Sequence, residues 1–164
     1  MTDLLYTFAQ EIEAKMLALS EERFKDGLLP LGQARVTLLG QFSLLVNPEI
    51  NSKLQLANTA DVDAILKCDW AVRTAIKGVI ASLGFVYDEL SEEVWIPPNS
   101  KFVLLYESDS VAIEALEPIY ALLSKAVKAP HKNRFLIQQA IGIYGETLLT
   151  LIKEHGGDLS ILLK

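Results

Sequence analysis

Two aspartates separated by a single residue are the feature of this sequence that most directly suggests chemistry. They stand in "LQLANTADVDAILK", residues 54 to 67, as Asp61 and Asp63 at the edge of an apolar run. Side chains at positions i and i+2 project from the same face of a β-strand, so an extended segment brings both carboxylates together. Mg²⁺ prefers oxygen ligands and keeps some waters for substrate phosphates to replace. The pair predicts a divalent-metal site; the plain alternative is two solvated residues at a strand edge.

A glycine turn upstream of the aspartates is a candidate for phosphate binding. The segment "ARVTLLG" is short, rich in β-branched residues and stopped by Gly40, which predicts a buried strand followed by a short helix. Free backbone N–H groups at a strand-to-helix turn attract anions, and Ser43 adds a hydroxyl. Gly40 and Ser43 are therefore predicted phosphate-binding residues, although a glycine after a strand is often only a turn residue.

A basic cluster in the second half of the chain stands out against its acidic background. The protein carries a formal net charge of −6, yet "SKAVKAPHKNR", residues 124 to 134, holds no acid among its cations Lys125, Lys128, His131, Lys132 and Arg134. Such a cluster attracts phosphate groups, and it is also typical of a solvated helix face because the lysines recur at steps of three and four.

Bulk composition narrows the class of protein. A chain of 164 residues with 51% hydrophobic residues predicts one domain with a sizeable core. The net negative charge argues against extended nucleic-acid binding. Cys68 is the only cysteine, so no internal disulfide forms, and no apolar segment reaches the roughly 20 residues that a bilayer requires. These features predict a cytoplasmic protein without a membrane segment.

Hydrophobic periodicity predicts an α+β organisation. Helices are expected over residues 4 to 19 and 69 to 83, the second ended by Gly84. Strands are expected in "LQLANTADVDAI", "FVYDEL" and "EEVWIPP", and two more in "KFVLLYESDSVAIEAL". Pro118 is expected to open a helix through about Ala129, and Pro130 to open a long final helix that ends at the glycines 156 and 157.

Taken in order, "VTLLGQFS", "TADVDAI", "VAIEAL" and "PIYALLSKAVKAPHKNR" resemble the nucleotidyltransferase-like superfamily. The likeness is greatest to its minimal bacterial members, which are related to abortive-infection and toxin–antitoxin proteins. The resemblance implies that Asp61 and Asp63 hold the metals, that Gly40 approaches the nucleotide's phosphates and that Lys125 lies near the nucleotide. A third carboxylate is expected from Glu107, Asp109 or Glu114. Gln41 departs from the pattern, because relatives usually have a second Gly or Ser directly after the first glycine.

The resemblance implies one nucleotidyltransferase-like domain over residues 1–164, with a small mixed β-sheet flanked by helices, an N-terminal helix over 1–25 and C-terminal helices over 118–164. The implied activity is Mg²⁺-dependent transfer of a nucleotidyl group from ATP or another nucleoside triphosphate to an unknown acceptor. The expected catalytic residues are Asp61, Asp63 and Glu114, and the expected nucleotide-binding residues are Gly40, Ser43, Lys125 and Lys128. The alternative is a binding module without turnover that takes a nucleotide, a polynucleotide or a protein partner, or that forms a homodimer.

Overall fold

The computed structural model describes the backbone of residues 2–164 and the side chains from residue 4 onward, and it has a mixed α/β architecture. Within that range, none of the helices combines the length and the apolar character needed to cross a membrane. The helices are α1 (Thr2–Lys25), α2 (Gly40–Leu45), α3 (Pro48–Lys53), α4 (Trp70–Ser82), α5 (Pro118–Lys128), α6 (Pro130–Tyr144), α7 (Glu146–Glu154) and α8 (Leu159–Leu162). The strands are β1 (Ala34–Leu38), β2 (Asp61–Val62), β3 (Ala64–Lys67), β4 (Val86–Tyr87), β5 (Phe102–Glu107) and β6 (Val111–Leu116).

Four strands form a mixed sheet in the order β3-β1-β6-β5. Strand β1 lies inside the sheet, antiparallel to β3 and parallel to β6, and β5 closes the sheet antiparallel to β6. The two short strands β2 and β4 pair in parallel as a separate ladder. The predicted small mixed sheet flanked by helices is therefore confirmed.

The two faces of the sheet pack against different groups of helices. Side chains alternate along a strand, so Val36 and Leu38 contribute to a core shared with α1 and α4. On the opposite face, Leu39 and Leu116 join a second core built from α5, α6, α7 and α8. At the ends of β1 and β6, neighbouring residues therefore belong to different cores.

The predicted helices are largely confirmed, with one correction. Helix α4 ends as expected, because Gly84 adopts a φ of 85° that favours glycine. Helices α5 and α6 begin at Pro118 and Pro130, where a missing N–H costs no hydrogen bond. The prediction of one long final helix is wrong: Gly145 adopts a φ of 54°, ends α6, and α7 follows it.

Two strand predictions also need correction. The segment "EEVWIPP" is not a strand: residues 91 to 93 form a single 3₁₀ turn, and the two prolines that follow lack the N–H groups a ladder needs. The predicted strand "LQLANTADVDAI" is regular only at Asp61–Val62 and from Ala64 onward. Helix α3 went unpredicted, although Asn47 caps it by accepting a hydrogen bond from the Ile50 N–H at 3.1 Å.

Candidate functional site

The glycine turn and the aspartate pair meet at the end of β1. The Leu39 N–H donates to the Asp63 carbonyl at 2.8 Å, which extends the pairing of β1 with β3 by one residue. The next residue, Gly40, turns the chain into α2 with a φ of 56°. A Cβ atom at this position would collide with Asp63 Oδ2 and lie 3.0 Å from Asp63 Cγ. Any side chain at Gly40 would therefore displace the Asp63 carboxylate.

The sequence predicts that Asp61 and Asp63 lie on one continuous strand. In the structure the strand is interrupted at Asp63. Asp61 belongs to β2 and is exposed, whereas Asp63 is half-buried in the break between β2 and β3. The two carboxylates are still close enough for the charge of Asp61 to contribute to raising the pKa of Asp63, behind the larger effect of burial. Thr59 holds the backbone of Asp61 in place. Its hydroxyl accepts a hydrogen bond from the Asp61 N–H and donates one to the Asp61 carbonyl, both at 3.2 Å.

Asp88 is the third carboxylate at this place. The parallel pairing of β2 with β4 sets Val62 level with Tyr87, and the Asp88 N–H donates to the Val62 carbonyl at 3.1 Å. Asp88 thus comes beside Asp63. Burial first, and then the neighbouring side chain and charge of Asp88, raise the pKa of Asp63 above its ordinary value. We refer to Asp61, Asp63 and Asp88 as the acidic group.

The backbone beneath the acidic group is held by two buried side chains. The Ser91 hydroxyl donates to the Asp88 carbonyl at 2.6 Å and accepts from the Ala64 N–H at 3.0 Å. The Tyr87 hydroxyl donates to the Ala64 carbonyl at 3.0 Å. The N–H and the carbonyl of Ala64 are therefore both hydrogen-bonded. Because Ala64 follows Asp63 directly, these bonds also fix the position of Asp63 relative to Asp88.

Glu114 lies apart from the acidic group. It sits on β6, and its carboxylate accepts from Thr37 Oγ1 at 2.7 Å and from Arg35 at 2.9 Å. The β6 strand is two strands away from β3, a lateral distance of about 10 Å. Glu107 and Asp109 are exposed at the turn between β5 and β6. Among the acids considered from the sequence, only Asp61 and Asp63 are brought together.

A cleft of about 320 Å³ opens between the loop that leads to β2 and the junction of α5 with α6. We call it the cleft; the lining residues that matter here are Gln41, Asn58, Thr59, Lys125, Lys132 and Phe135. Gln41 also ties α2 to this loop by donating to the Ala57 carbonyl at 3.1 Å. The volume is at the lower end of the range for small-molecule sites.

Lys125 connects the cleft with the acidic group. Burial lowers the pKa of Lys125 below its ordinary value, the negative charge of Asp63 partly opposes this shift, and the positive charge of Lys132 adds to it. In return, the charge of Lys125 opposes the rise in the pKa of Asp63. Two cations therefore line the cleft, and one of them interacts with a carboxylate of the acidic group.

Of the four predicted nucleotide-binding residues, Lys125 lines the cleft, whereas Gly40, Ser43 and Lys128 do not. Ser43 is 1% exposed, and its hydroxyl donates to the Gly40 carbonyl at 2.9 Å, so it supports the turn from within. Lys128 does not line the cleft: its ammonium lies over the Trp95 ring, 4.9 Å from the ring centroid. Of the basic cluster, Lys125 and Lys132 are the residues that reach the cleft.

The chain was compared with known proteins in three ways, and no protein-family model, no curated protein and no solved structure matches it. Among the described residues, no group of three or more His, Cys, Asp and Glu side chains is arranged to hold a metal by itself. Any ion bound at Asp61 and Asp63 would need further ligands from water or from a bound substrate.

Sequence reasoning missed Asp88, Ser91 and Phe135. Asp88 follows the short strand in "FVYDEL" as Asp63 follows that in "ADVDAI", so the sequence holds a weak signal for it. The parallel pairing of β2 with β4 joins segments that are distant in sequence, and no local sequence pattern predicts it. Ser91 and Phe135 sit in segments without any motif.

Proposed function

We propose that the protein binds a nucleoside triphosphate with Mg²⁺ between the acidic group and the cleft, and transfers a nucleotidyl group to an acceptor. The observation that carries this proposal is the proximity of Lys125, a cation lining a ligand-sized cleft, to Asp63, a carboxylate beside a second carboxylate. Phosphoryl-type transfer depends mainly on positioning and on neutralising charge, and it needs few other side chains.

The chain's own residues divide this work. Lys125 and Lys132 would bind phosphate oxygens, and Thr59 and Asn58 offer polar atoms on the other side of the cleft. Gly40, which has no side chain, leaves room for the Asp63 carboxylate at the turn. Together these groups would hold the triphosphate in one orientation. Such positioning lowers the reaction barrier, because the reacting groups are already held in place.

In the transfer itself, a hydroxyl oxygen of the acceptor forms a bond to the α-phosphorus. The bond from that phosphorus to the bridging oxygen breaks, and pyrophosphate leaves with the electron pair. The proton of the attacking hydroxyl passes to the exposed carboxylate of Asp61 and from there to solvent. Lys125 offsets part of the negative charge that collects on the leaving group.

The donor set fits Mg²⁺. This ion is usually held by one or two carboxylates, with water and substrate phosphates as its other ligands, so a group of three protein ligands is not required. Asp61 and Asp63 supply the two carboxylates. When bound, Mg²⁺ would supply charge neutralisation for the triphosphate.

The test is the melting temperature of the protein with and without ATP and Mg²⁺. A ligand at one hundred times its Kd stabilises the folded state by about 2.7 kcal/mol, which for this chain length corresponds to a rise of about 5–10 °C. The double variant Asp61→Asn with Asp63→Asn should lose this rise. The matched control, Glu21→Gln with Glu22→Gln, removes two exposed acids from α1 and should keep it. Absence of any rise in the wild type at millimolar ATP and Mg²⁺ would overturn the proposal.

A second candidate is a binding module that holds phosphate-bearing ligands without turnover. The raised pKa of Asp63, caused first by burial and then by the neighbouring Asp88, favours it, because a metal ligand must be deprotonated. This candidate predicts retention on a phosphate-bearing matrix that weakens with salt, needs no metal and disappears in Lys125→Gln with Lys132→Gln. Retention that requires Mg²⁺ would exclude it.

A further inference from the structure

The wall of the cleft that α6 contributes is chemically mixed. Lys132, Phe135 and Leu136 all line the cleft, and residues three and four apart lie on one helix face. Three residues span about 4.5 Å along the helix axis, so Phe135 lies about one turn from Lys132 on the same helix face. A ligand that reaches Lys132 with an anionic group would bring its next atoms against Phe135.

Exposure of an aromatic ring is not by itself informative in this protein. Phe24 is 84% exposed and Phe135 is 61% exposed. What distinguishes Phe135 is its position, because it lines a concave space that also holds Lys125 and Lys132. Phe24 extends from the C-terminal turn of α1 and does not line this cleft.

We propose that Phe135 is the ring-binding residue of the cleft, and that the ligand combines a phosphate group with a flat aromatic ring. This inference rests on the proposed function and deepens it: the phosphates lie on Lys125 and Lys132, and the base stacks on the Phe135 ring. A phenyl face binds any of the bases, because each has a π-face, so the site selects for a nucleotide over a bare polyphosphate or a sugar phosphate without selecting one base.

The experiment compares two probes by calorimetric titration in the presence of Mg²⁺. One probe is ATP and the other is inorganic tripolyphosphate, which has the anionic groups without the ring. Loss of one stacked base weakens binding by roughly tenfold or more. We therefore expect Phe135→Ala to weaken ATP binding about tenfold and to change tripolyphosphate binding by less than about twofold. Lys125→Gln with Lys132→Gln should weaken both probes.

Two further variants control for bulk and for folding. Phe135→Leu keeps an apolar side chain without a ring and should weaken ATP binding, whereas Phe135→Tyr keeps the ring and should retain it. Phe24→Ala removes an exposed ring away from the cleft and should leave both affinities unchanged. Melting temperatures of all variants show whether each is folded, and Phe135 is exposed enough for its truncation to be tolerated.

The outcomes separate this inference from the proposed function. Selective loss of ATP binding in Phe135→Ala supports both. Equal ATP affinity in Phe135→Ala and the wild type, or an equal loss for both probes, overturns the ring-binding role and leaves the triphosphate site standing. If the wild type binds tripolyphosphate as tightly as ATP, the cleft has no ring subsite and the inference fails. If the wild type binds neither probe, the proposed function fails first, and this inference fails with it.

Discussion

Gly40 and Asp63 are in direct contact at the end of the sheet, so closely that a Cβ atom on Gly40 would occupy the space of the Asp63 carboxylate. The two residues come from segments more than twenty positions apart, and the hydrogen bond from the Leu39 N–H to the Asp63 carbonyl joins them. The conformation of the turn and the direction of the carboxylate are therefore one structural feature.

Substituting Gly40 by alanine should destabilise the protein for two separable reasons. An L-residue at a φ of 56° costs about 1–2 kcal/mol, and the new methyl group must also displace the Asp63 carboxylate. Gly145→Ala is the matched control, since Gly145 has a φ of 54° and nothing within 4 Å of the added atom. Urea unfolding should show a larger loss of the free energy of unfolding for Gly40→Ala. In an Asp63→Ala background the excess cost of Gly40→Ala should shrink; an undiminished excess at Gly40 would contradict the contact.

Asp63→Asn should change how stability depends on pH. Burial, and then the neighbouring Asp88, raise the pKa of Asp63, so the folded protein holds this proton more tightly than the unfolded chain does. As the pH rises above the usual Asp pKa of 3.8, the wild type loses free energy of unfolding relative to Asp63→Asn. The loss is complete once the pH exceeds the raised pKa, so the variant is the more stable protein at pH 7. Urea titrations from pH 4 to 8 with EDTA measure this, with Asp26→Asn, at an exposed position, as control. A wild type that gains free energy of unfolding relative to Asp63→Asn as the pH rises would refute the assignment.

Ser91→Ala should loosen the support of the acidic group. The substitution removes the acceptor of the buried Ala64 N–H, and an unpaired buried donor costs about 1–3 kcal/mol. Ser82→Ala is the control, because the Ser82 hydroxyl donates only to the Val79 carbonyl of its own helix, and its cost should stay within about 0.5 kcal/mol. Equal costs for the two variants in urea unfolding would show that Ser91 has no special role.

Asp88 and Glu114 should differ in their effect on ligand binding. Asp88→Asn changes the partner of Asp63 and should alter the rise in melting temperature that ATP with Mg²⁺ produces. Glu114→Gln should leave that rise intact and affect only the pairing with Arg35 and Thr37. The opposite pattern would return Glu114 to the role that the sequence resemblance implies.

Local patterns predicted those parts of the fold that local interactions determine. The β-branched strand before Gly40, the helix stop at Gly84 and the proline starts of α5 and α6 all follow from the conformational limits of single residues. The continuous apolar stripe after Pro130 predicts one long helix. The positive φ of Gly145 divides this stripe into α6 and α7.

In the candidate site, the sequence could predict only the proximity of residues that adjacent strands bring together. The proximity of Gly40 and Asp63 follows from a strand, a turn and an antiparallel neighbour. The proximity of Asp88 to Asp63 depends instead on parallel pairing between two strands of two residues each, whose register no local preference specifies. Likewise, the spacing of the two lysines along α5 does not predict that Lys125 interacts with Asp63 while the Lys128 ammonium lies over the Trp95 ring.

The most direct test of the central claim is a crystal structure with a non-hydrolysable nucleoside triphosphate and Mn²⁺, an ion that scatters anomalously and accepts the same oxygen ligands as Mg²⁺. We predict an anomalous peak coordinated by the carboxylates of Asp61 and Asp63, with the triphosphate extending from it to Lys125 and Lys132. A peak elsewhere, or a triphosphate bound outside the cleft, would contradict the account.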